Sequence, residues 1–145
     1  MKFRYPREFR LADSAQQLVG GFLLAGPFVV TEEVWVLAGN MRPVQALATV
    51  CVVFAIGYAT LYKADTNRDP DDERNVAGVP IRFISLMLVS FGSVTILAVL
   101  FGAPETFIGT DRTSAEVAVI TFNAVSVGSV FSVVGAATAD SVFSR

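Results

Sequence analysis

The polar and apolar positions of this chain do not alternate at a helical or strand period; they separate into long uncharged runs joined by charged segments. Crossing roughly 30 Å of hydrocarbon takes about 20 helical residues, and four runs reach that length, over 14–38, 43–62, 82–103 and 116–139. They predict an all-α polytopic membrane fold of four transmembrane helices in a single domain, 1–145, with Pro104 falling where the third run should stop. The first run is the odd one. It is uncharged from Ser14 to Thr31, meets Glu32 and Glu33, then resumes from Val34 to Ala38. It is too long for the apolar core of a cleaved signal peptide, so it is read as a retained span.

Short loops rich in Lys and Arg stay cytoplasmic. The N-terminal segment holds Lys2, Arg4, Arg7 and Arg10, the second loop and its far edge hold Lys63, Arg68, Arg74 and Arg82, and the tail adds Arg145, against Arg42 and Arg112 in the two other loops. A multi-pass protein of the cell membrane with both termini cytoplasmic satisfies that asymmetry. Tyr58 and Tyr62 near the inner end of the second span, and Trp35 near the outer end of the first, suit the headgroup belt.

Composition narrows the chemistry. The chain is 53% apolar and 17% charged, which is richer in apolar residues than an ordinary soluble domain. A net charge of -2 gives no clustered basic surface for nucleic acid. With no histidine and Cys51 as the one cysteine, there is no intramolecular disulfide, no Cys/His zinc set and no Ser/His/Asp triad. Carboxylates alone make a poor catalytic constellation, so neither an enzyme nor a cofactor is expected. The acidic loop 63–80 carries Asp65, Asp69, Asp71, Asp72 and Glu73 but lacks the alternating ligands, central glycine and closing glutamate of a calcium loop. It reads as a solvated linker with a short helix starting near Asp69 and Pro70.

The richest stretch is GGFLLAGPFVVTEEVW, Gly20 to Trp35. Pro27 removes a backbone donor and crowds the carbonyl of Leu23, which predicts a kink or break around Gly26. Broken helices in transporters free carbonyls that coordinate cations near the midplane. An acidic residue at a helix centre costs roughly 2.5–3.5 kcal/mol, taking Glu to behave like Asp, whereas the eleven Leu, Val and Phe residues between Ser14 and Ala38 return on the order of 3–7 kcal/mol together. The helix is therefore marginal unless the glutamates are shielded or shallow. Two readings stay open. In one, Thr31, Glu32 and Glu33 join the backbone at Gly26 and Pro27 in an ion-binding site; in the other, the span ends at Thr31, the glutamates lie in the headgroup zone and Trp35 is an anchor. A polar face of Asp13, Gln16, Gly20, Pro27 and Thr31 is expected on the first helix. The fourth span offers a stripe of small residues, Thr121, Val125, Gly128, Ser132, Gly135 and Ala139, with Asn123, Ser126 and Ser129 as polar neighbours and Asp140 at its cytoplasmic mouth; it lines a pathway or serves packing. Ser85, Gly92, Ser93 and Thr95 in the third span, and Cys51 in the second, read as packing residues.

The same GGFLLAGPFVVTEEVW stretch resembles the first span of an uncharacterised family of small prokaryotic integral membrane proteins, especially of halophilic archaea. The resemblance implies the four-span membrane class and no substrate. From the residues, the first expectation is a small cation or proton transporter or channel, a homo-oligomer in the lipid bilayer, using the glutamate pair. The alternative is a non-transporting structural or accessory membrane protein that binds a partner through the acidic loop.

Overall fold

A computed structural model describes residues 9–64 and 68–143; Lys2, Arg4, Arg7, Asp65 and Arg145 of the charge pattern lie outside them. The order is α1 (Leu11–Val29), α2 (Glu32–Asn40), α3 (Pro43–Tyr58), α4 (Ile81–Leu100), α5 (Ala103–Ile108) and α6 (Ser114–Phe143). A π-helical turn, Ala59–Ala64, continues α3. Pro43–Ala64, Ile81–Leu100 and Ser114–Phe143 are each long and apolar enough to cross a membrane, and α1 with α2, a pair bent at the break between them, is a fourth candidate.

The break differs from the sequence expectation. The helix runs through Gly26 and Pro27 and stops at Val29, and α2 leaves at 82°. Pro27 is exposed, so its ring projects away from the bundle, and the helix loses one donor without ending. Chain direction changes at Val30 and Thr31 instead, where the Thr31 hydroxyl donates to the Phe28 carbonyl at 2.9 Å and competes with helix continuation. Nineteen residues at ~1.5 Å each make α1 about 28 Å long, close to the hydrocarbon thickness without α2. The run over 14–38 is thus one helix plus a second lying across its end.

The other spans follow the apolar runs. α4 ends at Leu100, Gly102 takes a left-handed conformation (φ +64°) and Pro104 sits in the first turn of α5. Within the loop, Pro70–Asp72 forms a single 3-10 turn whose N-cap Asp69 accepts from the Asp71 amide, close to where a short helix was expected. Unexpected was a minimal antiparallel hairpin, β1 (Asn75–Val76) with β2 (Val79–Pro80). Its two turn residues, Ala77 and Gly78, both have positive φ, as a tight two-residue turn requires.

The helix α6 is the hub, packed by α1, α2, α3 and α4. The distribution of polarity is inverted relative to a water-soluble protein. Leu23, Leu47, Leu88, Val99 and Phe122 are more than half exposed, whereas Asp13, Gln17, Arg82, Asn123, Ser126, Ser129, Ser132 and Asp140 are buried. Water-soluble chains bury charged side chains rarely and do not expose large apolar ones on every helix.

Candidate functional site

The glutamate pair opens α2. Glu32 and Glu33 occupy its first turn, where the macrodipole favours negative charge, and both are exposed. With Val36 and Leu37 they line an outward-facing groove. The opposite face of α2 buries Val34, Trp35 and Ala38. Trp35, read as an interfacial anchor from its position, is 3% exposed, and its indole Nε1 donates to the Val29 carbonyl at 2.9 Å. Asn123 of α6 donates from Nδ2 to the Ala38 carbonyl at 3.1 Å. The Phe28 and Val29 carbonyls at the bend are therefore occupied by Thr31 and Trp35, and Gly26 lies a turn away inside a continuous helix. Of the five residues read as an ion site, Pro27, Glu32 and Glu33 are exposed and Gly26 and Thr31 are half-buried.

The small-residue stripe of α6 is used within one chain. A Cβ on Gly20 would lie 2.2 Å from the Gly135 carbonyl oxygen, so α1 and α6 touch backbone to backbone. Gly21 sits against the Ser132 and Ser93 hydroxyls, and Gly128 against Val94. Ser93 and Ser132 share a hydrogen bond at 2.9 Å. Ser126 and Ser129 donate to carbonyls one turn back on their own helix. The stripe thus packs against α1 and α4. The polar face of α1 also differs by rotation: Asp13, Gln17, Gly20 and Gly21 are buried, Gln16 is half-buried and Pro27 is outside.

The concentration of buried charge lies at the other end of the bundle, where α1 and α4 begin and α6 ends. Arg82, the second residue of α4, is 2% exposed and donates from Nη1 to Asp140 Oδ1 at 2.7 Å and from Nε to Glu73 Oε1 at 2.9 Å. Its Nη2 lies 3.6 Å from Asp13 Oδ2, and its guanidinium carbon is 5.3 Å from the centre of the Phe9 ring. Arg68 reaches Asp140 Oδ2 at 3.1 Å and Glu73 at 3.8 Å. Tyr62, brought inward by the π turn, donates to Glu73 Oε2 at 2.5 Å. Three helices and the loop are thereby fastened through one guanidinium. A guanidinium carries five donors in a rigid fork, which suits it to several carboxylates at once.

Polar contacts extend from this clasp into the bundle. Ser14 and Ser85 hydroxyls are 2.8 Å apart, and Ser85 donates to Gln17 Oε1 at 2.8 Å. One turn beyond Gln17 on α1 stands Gly21, beside the Ser93 and Ser132 pair. Ser132, Ser129, Ser126 and Asn123 then carry buried polar groups along α6 toward the α2 end. Sequence reading missed the clasp. It took Arg82 as a loop cation and Asp140 as a marker of the mouth, although both fall inside helices. Among the described residues no group of three or more Asp, Glu or Cys is arranged to hold a metal ion.

No curated protein and no solved structure matches this chain. A family model does match, over residues 6–140, which includes the broken first span, the clasp and the whole polar seam of α6. With three to four helices able to cross a membrane and its polar side chains turned inward, the chain is an integral membrane protein and belongs to the family described as "putative integral membrane protein (DUF2391)".

Proposed function

We propose that this protein moves a small cation or proton across the membrane, along the polar seam inside its own bundle, with Asp13 and Asp140 as the acidic groups of the path. The observation that carries the reading is the burial of those carboxylates with Arg82 in a chain whose outer surface is apolar. Ionisable groups inside membrane helices are costly, face the bundle interior, and mark ion pathways and proton relays. The clasp closes one end of the seam, and the bend between α1 and α2 covers the other. The clasped end faces the cytoplasm in this reading, because it gathers Arg68, Arg74 and Arg82, while Arg42 and Arg112 belong to the far end. The exposed Glu32 and Glu33 stay outside the path.

Purified protein in liposomes under imposed sodium, potassium, calcium and pH gradients tests the reading. Wild type conducts, Asp13→Asn and Asp140→Asn lose the flux, and the Glu32→Gln, Glu33→Gln double variant keeps it. Absence of flux from folded wild type under every gradient would overturn the proposal. A specific feature favours the accessory role instead: Asp69, Asp71 and Asp72 remain exposed beside the clasp. A partner lost on neutralising those three residues, together with absent flux, is the signature of that role.

A further inference from the structure

Resting on the transport reading above, we infer that the transported species is a proton handed between side chains, and that the seam does not carry a metal cation. The first ground is packing. A single Cβ does not fit between Gly20 and the Gly135 carbonyl, at 2.2 Å, and at Gly21 it would come within 2.9 Å of both the Ser93 and Ser132 oxygens. At Gly128 it would come within 2.8 Å of Val94. A metal cation must exchange its water for a shell of several oxygens; calcium takes about 6–8, and potassium filters use rings of carbonyls. Here the buried hydroxyls give their protons to carbonyls of their own helices or to one another, and each keeps lone pairs on which a proton can be accepted.

The second ground is the order of the polar groups. A proton needs one donor and acceptor at each step, and a hydroxyl can accept at its lone pair while giving its own proton onward. The clasp adjoins the Ser14, Ser85 and Gln17 set, since Gln17 is one turn beyond Asp13 on α1 and Ser85 is three residues beyond Arg82 on α4. Gln17 is fully buried, and its Nε2 donor has no protein partner among the described residues. A buried amide N–H holds a partner, water included, at low energetic cost only if one is present, so this donor is a place for a relaying water. Gly21, beside the Ser93 and Ser132 pair, lies one further turn along. From Asp13 to Gly21 is about 12 Å, and from Ser132 to Asn123 about 13.5 Å, at ~1.5 Å per residue. Together they approach the thickness of the hydrocarbon core. Ser132, Ser129 and Ser126 follow each other at about 4.5 Å along the α6 axis, a step that a single water between neighbouring hydroxyls bridges.

Proteoliposomes loaded with a pH-sensitive dye, with potassium clamped by valinomycin, report proton movement; radioactive sodium and rubidium report metal cations. Wild type acidifies the lumen and takes up no more tracer than empty vesicles. Ser85→Ala and Gln17→Leu slow proton entry by about 100-fold, the scale of a lost proton-transfer group. Ser85→Thr, which keeps a hydroxyl, retains proton entry, and so does Thr95→Val, which removes an exposed hydroxyl from the same helix. Each variant is first checked for wild-type size-exclusion elution and helical content. Tracer uptake that depends on Asp13 overturns the proton assignment and leaves transport standing. Proton entry unchanged in Ser85→Ala and Gln17→Leu overturns the relay alone. Neither protons nor tracers moving through folded wild type removes both.

Discussion

Replacing Arg82 by methionine keeps an unbranched side chain of similar reach and removes the charge that fastens α1, α4, α6 and the loop together. The change deletes hydrogen bonds to Asp140 at 2.7 Å and to Glu73 at 2.9 Å, each worth about 1.5–3 kcal/mol when charged. It leaves Asp13 at 2% and Asp140 at 0% exposure without the cation between them. Breaking a buried ion pair from one side costs about 3–5 kcal/mol. Arg68 still reaches Asp140 at 3.1 Å, which places the expectation at the lower end, about 3 kcal/mol. A chain of this length shifts its melting temperature by roughly 2–4 °C per kcal/mol, so the variant should melt about 6–12 °C lower. The assay is thermal unfolding in one detergent followed by circular dichroism, with Arg42→Met, at an exposed position, as the control that stays near wild type. Arg82→Met combined with Asp140→Asn should be less destabilised than the sum of the two, by about 1 kcal/mol or more, because both act on one contact. A shift of Arg82→Met below about 2 °C, or strict additivity of the pair, would refute the clasp.

Gly20→Ala should destabilise by about 1–3 kcal/mol, since the new methyl meets a backbone carbonyl of α6 that cannot yield without parting the helices. Gly39→Ala, whose Cβ meets nothing within 4 Å, should be neutral or slightly stabilising in the same unfolding assay. In a Cys51→Ser background, a cysteine at Arg112 should react with a membrane-impermeant maleimide on intact cells. One at Asp71 should react only after lysis, and the reverse pattern would invert the orientation.

The candidate site was legible only in parts. Asp13, Gly20, Asn123, Ser126, Gly128, Ser129, Ser132 and Gly135 were picked out by their polarity or small size, and all of them are buried. The partners of those residues were not legible. Gln17 faces inward where Gln16 was expected, because one residue turns a helix by about 100° and the pattern along α1 alone does not fix its rotation. Pro27 suggested where the first span fails, yet the turn comes at Thr31, where a side-chain hydroxyl, two glutamates suited to a helix start and the Trp35 indole act together. The hairpin turn at Ala77 and Gly78 carried a weak signal, an Ala-Gly pair between two valines, with a non-glycine residue at positive φ.

By itself the sequence determined that this chain belongs in a bilayer and roughly where its long apolar helices fall. Span length answers to hydrocarbon thickness, and burial in lipid is a sum over neighbouring residues, so both can be read locally. Tertiary structure alone decided that α6 is the hub, that Glu32 and Glu33 point outward, and that Asp13, Glu73, Arg82 and Asp140 meet. Those four come from separate segments of the chain, and their meeting depends on the rotation and approach of three helices. Backbone contact at Gly20 and Gly135 helps set that approach, and the energy of an ion pair depends on the final distance and burial, which no local pattern encodes.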